Sequence, residues 1–89
     1  MRRSKGQILI DILRYINQKG SAKPTHILYA ANLSHKLMKD YLGILMEKGF
    51  IIQTFSSDKV RYKITKKGID YIIEYQKIEK LSSAFGLPI

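Results

Sequence analysis

Eighty-nine residues make one domain, with room for a modest core and none for a deep enclosed active site. Sixteen Lys and Arg against seven Asp and Glu give a formal charge of +9, a field that draws polyanions but says nothing about fold. With no cysteine, disulfides, thiolate catalysis and cysteine-bound zinc are excluded together, and a reducing interior fits.

No apolar run approaches the roughly 18 residues that span a bilayer, and QILIDILRYI is interrupted by Asp11 and Arg14. The basic start leads into an amphipathic helix, unlike a signal peptide. A soluble, cytoplasmic protein is expected.

Residues 1–6 (MRRSKG) read as a basic N-terminal arm, either a solvated terminus or one whose Arg2, Arg3 and Lys5 trail over phosphates. Gln7 to Gln18 has helical periodicity, with Ile8, Leu9, Ile12, Tyr15 and Ile16 on the core face. Ile10 and Leu13 widen that face beyond what a surface helix needs, so a second contact surface is expected there. Lys19 and Gly20 end this helix. Ser21 to Lys23 is a short extended stub, since the residue before Pro24 disfavours the helical region.

Pro24 to Ala31 reads as a short helix, and Asn32 and Leu33 leave space only for a sharp corner. The next helix, Ser34 to Lys48, is the stretch the chain is built to present. Met38, Tyr41, Leu42 and Leu45 recur at helical spacing, while Lys36, Lys39, Asp40, Gly43 and Glu47 lie on the other side. Ser34 is the expected N-cap and Gly49 the left-handed stop. Leu37 and Ile44, off the core face, are expected to pack under the second helix or the wing.

Phe50 to Phe55 and Val60 to Ile64 are rich in β-branched and aromatic residues, with Ser56 to Lys59 as a connection slightly longer than the two-residue minimum. Val60, Tyr62 and Ile64 alternate with Arg61 and Lys63, giving one packed and one cationic face. Thr65 caps a last helix that stops near Gly86 and Pro88. On it Ile69, Ile72 and Ile73 cluster on one side, expected against the domain. Tyr71, Tyr75, Ile78 and Phe85, spaced 4, 3 and 7, lie nearly opposite and are expected against a second subunit, unless the whole helix is buried in its own domain.

The order helix, stub, helix, turn, helix, two-stranded wing, helix is that of a winged helix-turn-helix: mostly α with a small β-hairpin, plus an extra C-terminal helix. The division expected is residues 1–6 as arm, 7–64 as the winged domain and 65–89 as dimerisation helix and tail. The runs ANLSHKLMKDYLGILMEKGFI, VRYKITKKG and IDYIIEY resemble the small archaeal winged-helix DNA-binding proteins, from Ser4 to about Leu81. Some of those are basic and chromatin-associated and dimerise through a C-terminal helix. The resemblance implies a homodimer that binds duplex DNA through its second paired helix and wing. Relatives with long antiparallel coiled coils have a longer last helix than one ending in SSAFGLPI.

Direct base readout favours Arg on guanine and Asn or Gln on adenine, and none of the three occurs between Ser34 and Lys48. Ser34, His35, Lys36, Lys39 and Asp40 suit phosphates and single hydrogen bonds. Lys36 and Lys39 are expected in or beside the groove, Lys59 and Arg61 on wing phosphates, and Thr25 or His26 near a phosphate. Asp40 accepts from a cytosine amino group, pairs with Lys36, or marks a shallower insertion. Binding through the backbone, chromatin-like or transcription-regulating at the nucleoid, leads. The alternatives are a sequence-specific repressor and a protein-binding winged helix without DNA.

An enzyme is not expected. His26 and His35 are the only histidines and form no spaced ligand pair, so neither metal nor cofactor is expected. Asp70 and Glu74 share a helix face as solvated charges. Nothing indicates a small-molecule ligand.

Overall fold

The computed structural model describes residues 3–88. Its elements are α1 (Lys5–Lys19), α2 (Pro24–Ala30), α3 (His35–Glu47), β1 (Ile51–Ser56), β2 (Lys59–Ile64) and α4 (Lys66–Ala84).

α1 starts two residues before the expected Gln7, because its cap lies inside the basic stretch. The Ser4 hydroxyl accepts from the Gln7 amide at 3.1 Å while the Gln7 side chain accepts from the Ser4 amide at 2.9 Å, a reciprocal capping box. Arg3 donates to Asp11 at 2.7 Å and also to the Ala31 carbonyl, tying the start of α1 to the end of α2. Arg3, expected as part of a basic arm, is held against the domain by these bonds while staying exposed; the same expectation for Arg2 lies outside the described residues.

The core runs along α1. Ile12, Leu13 and Ile16 are fully buried with Ile10, and Ile27, Met38, Leu42, Leu45, Ile51, Tyr62 and Ile72 close around them. This corrects the reading of Ile10 and Leu13 as a subunit contact. A central helix in a small domain is covered on several sides, by α2, β2 and α4, so its wide apolar face is used internally.

The corner between α2 and α3 depends on Asn32, which takes φ of +54°. Asn is one of the few residues that enter the left-handed region readily, and here it lets the Leu33 amide reach back to the Leu28 carbonyl at 3.0 Å. Gly49 repeats the device after α3, where the Phe50 amide bonds the Leu45 carbonyl at 2.9 Å and the chain turns directly into the hairpin. α3 is thus held at both ends, with Ser34 accepting from the Leu37 amide at 3.1 Å.

The strands pair antiparallel from Ile51 with Ile64 to Ser56 with Lys59. The connection is the two-residue minimum, Ser57 and Asp58, with φ of +51° and +63°. The longer loop expected from sequence is corrected: a primed turn twists with the strands, so pairing continues through Ser56 and Lys59. Ala22 of the stub exchanges both backbone hydrogen bonds with Tyr62, at 2.8 and 2.9 Å, and adds a third strand-like edge.

Thr65 caps α4 by accepting from the Gly68 amide at 3.1 Å, and its hydroxyl donates towards the Gly49 and Phe50 carbonyls. α4 docks on a face centred on Gly68, Ile72 and Tyr75, between the two faces read from sequence. Ile72 is buried as expected, but Ile69 and Ile73 are exposed. Tyr71 and Tyr75, expected against a second subunit, are half buried on their own domain. The Tyr71 ring lies 5.1 Å from that of Phe50, and the Arg14 guanidinium sits 5.7 Å from the Tyr75 ring centre. Ile78, Leu81 and Phe85 stay exposed, and the molecule measures 48 × 28 × 21 Å. Among the described residues no helix is long and apolar enough to cross a membrane.

Candidate nucleic-acid interface

With Met38, Leu42 and Leu45 fixed in the core, the opposite side of α3 is set by the helical period. Lys36, Asp40, Gly43 and Glu47 form its central strip, Lys39 lies at one edge, and Leu37 and Ile44 at the other. His35, Lys36, Lys39 and Asp40 are all exposed. Leu37 is also exposed, at 42%, so it is not packed under α2 or the wing as expected. The intrahelical pair of Asp40 with Lys36 is not formed.

Ion pairs are unevenly distributed. Among the described residues they are Arg3 with Asp11, Arg14 with Glu79 and Lys77 with Glu74, all on α1, α4 and the approach to α1. The first two border an open groove of about 340 Å³ between α1 and α4, where burial, and next the Glu79 carboxylate, raises the Tyr75 phenol above its ordinary value. The cations of α3 and the hairpin have no such partners. Lys36, Lys39, Lys48, Lys59 and Lys63 are exposed and none pairs with a carboxylate. Lys5, Lys19, Lys23, Lys66, Lys67 and Lys80 likewise form no ion pair among the described residues, and on the helix and wing the free lysines stand beside the carboxylates of Asp40, Glu47 and Asp58.

The wing cations differ from each other. Lys59 is exposed at the turn, while Arg61 is half buried and donates to Ser21 Oγ at 3.3 Å, back towards the stub. Thr25 and His26 are exposed on the first turn of α2. Tyr29, 74% exposed, follows one turn later on the same side of that helix and was missed from sequence. The signal was available: it stands four residues after Thr25, away from Ile27. Among the described residues no three His, Asp or Glu side chains are grouped to hold a metal ion.

A three-helix unit with a capped, outward-facing third helix, followed at once by a cationic hairpin, defines the class. The winged helix-turn-helix family model matches residues 2–83, and the chain belongs to that family, a DNA-binding fold and not a family of enzymes. The chain is 38% identical over 81 residues to the uncharacterised protein MJ0290 of Methanocaldococcus jannaschii, covering 91% of this chain but 35% of that one. The crystal structure of Sso10a-2, a DNA-binding protein from Sulfolobus solfataricus, superposes with a TM-score of 0.73 at 32% identity, covering 94% of this chain and 90% of that one. The transcriptional regulator Tm0710 of Thermotoga maritima shares the fold with a TM-score of 0.66 at 24% identity, over 88% of this chain and 60% of its own.

Proposed function

We propose that this chain binds duplex DNA, with α3 at the major groove and the wing on the neighbouring backbone or minor groove, as a chromatin-like or transcription-regulating factor of the nucleoid. The observation that carries the reading is the set of exposed, unpaired lysines on the capped third helix and the hairpin that follows it, Lys36, Lys39, Lys48, Lys59 and Lys63. The likeness to Sso10a-2, described as DNA-binding, supports it. Lys36, Lys39, Lys59 and Lys63 engage phosphates; Ser34, His35, Thr25 and Tyr29 add hydrogen bonds at the edges. Arg61 reaches a wing phosphate when it leaves Ser21. Asp40 and Glu47 on the central strip repel phosphate, so α3 sits shallowly and sequence preference is modest.

The chain acts as a homodimer through the far end of α4. Ile78, Leu81 and Phe85 follow one another at spacings of 3 and 4 and are all exposed. A Leu81→Asp variant is then monomeric in sedimentation while the native chain is dimeric.

Replacing Lys36, Lys39, Lys59 and Arg61 together by Gln tests the DNA reading in a fluorescence titration with duplex DNA. Affinity falls, and the slope of log affinity on log salt shrinks by about 0.9 for each phosphate no longer engaged. A native chain that ignores duplex DNA would instead support the protein-binding alternative.

A further inference from the structure

The hairpin outruns the domain that supports it. On one face Ile51 and Tyr62 are 1% and 7% exposed, but Phe55, at the far end of that face and opposite Val60, is 70% exposed. A large aromatic ring is therefore held one rung below a tight two-residue turn with nothing of its own domain upon it. Pairing with Val60 explains why a bulky residue stabilises the strand, but not why it is an aromatic left open to water. Lys59, paired with Ser56, and Arg61, paired with Thr54, leave the strand on the face opposite Phe55, so a partner that meets both ring and cation must take the tip of the hairpin from both sides, as a groove does. Arg61, a guanidinium that would suit a narrow minor groove, is drawn back to Ser21, whereas Lys59 stays exposed at the turn to meet a phosphate.

Resting on the DNA-binding reading, we infer that Phe55 is an apolar wedge, entering the minor groove at a base step and bending the duplex while Lys59 holds a flanking phosphate. Apolar side chains inserted there partly unstack the step and kink DNA by roughly 20–90°. Pyrimidine–purine steps open most easily, so they become the preferred seats, which gives the protein a deformability preference without base-specific hydrogen bonds.

The test uses the full chain and a short duplex carrying end-attached donor and acceptor dyes, with 2-aminopurine at a central TA step. The native protein is expected to raise both energy transfer and 2-aminopurine emission. Phe55→Val, which keeps a strand-forming residue opposite Val60, is expected to bind with the same salt slope and give neither signal. Salt-dependent binding by the native chain with no change in either signal overturns the wedge and leaves the DNA-binding reading standing. No binding to any duplex removes both. If Phe55→Val halves the mass in solution and leaves the bend intact, the ring belongs to a contact between copies and the wedge is overturned.

Discussion

Gly68 sits where α4 crosses the base of the hairpin, and a Cβ there would lie 2.4 Å from the Phe50 carbonyl oxygen and 2.6 Å from Ile64 Cγ1. Backbone cannot yield as a flexible side chain can. Gly68→Ala is expected to destabilise the fold by about 1–3 kcal/mol, read as a lowered urea midpoint; an unchanged midpoint would mean that α4 is not seated this closely. Tyr75 makes a second residue-scale prediction. Its folded pKa is raised above the ordinary 10.0, first by burial and then by Glu79, so the neutral phenol is the form the fold prefers. The stability it contributes is complete below that ordinary value and is lost as pH rises from there through the raised one. Tyr75→Phe should flatten the alkaline loss of stability, measured by urea unfolding across that range.

The wing turn places Ser57 and Asp58 in a left-handed conformation that glycine adopts without strain. Asp58→Gly is expected to stabilise the hairpin by about 0.5–1 kcal/mol, visible as slower amide exchange in β1 and β2; faster exchange would contradict a primed turn. Element order was legible because caps and period are local: Ser34, Gly49, Pro24 and Thr65 announce their helices without reference to anything distant. The turn was read too long because Ser-Asp lacks the Asn-Gly signature, so only the continued pairing of Ser56 with Lys59 reveals it. The docking face of α4 was misplaced for a different reason. A helix with two apolar faces offers more than one way to dock, and Gly68, which carries no hydrophobic signal, marks the one that fits against Phe50 and Ile64. On the interface, the lysines of α3 followed from the helical period. The hold of Arg61 on Ser21, 40 residues apart, could not, nor could the attachment of Arg3 to the end of α2.

At the scale of the whole molecule, core and interfaces divide differently from the sequence pattern. Leu13 is fully buried within one chain, so Leu13→Ala is expected to cost about 2–5 kcal/mol of folding stability without separating subunits specifically. Sedimentation at temperatures where the variant is folded checks this: a monomer there would return Leu13 to the subunit contact. Part of the +9 charge stands exposed and unpaired on α3 and the wing, as Lys36, Lys39, Lys48, Lys59 and Lys63, on the face proposed to meet a polyanion. The affinity of the native chain for a mixed-sequence duplex, measured at several salt concentrations, tests that arrangement most directly. With roughly 6–8 phosphates engaged, log affinity should fall with log salt at a slope of about −5 to −7. A slope near zero, or no binding at low salt, would contradict it.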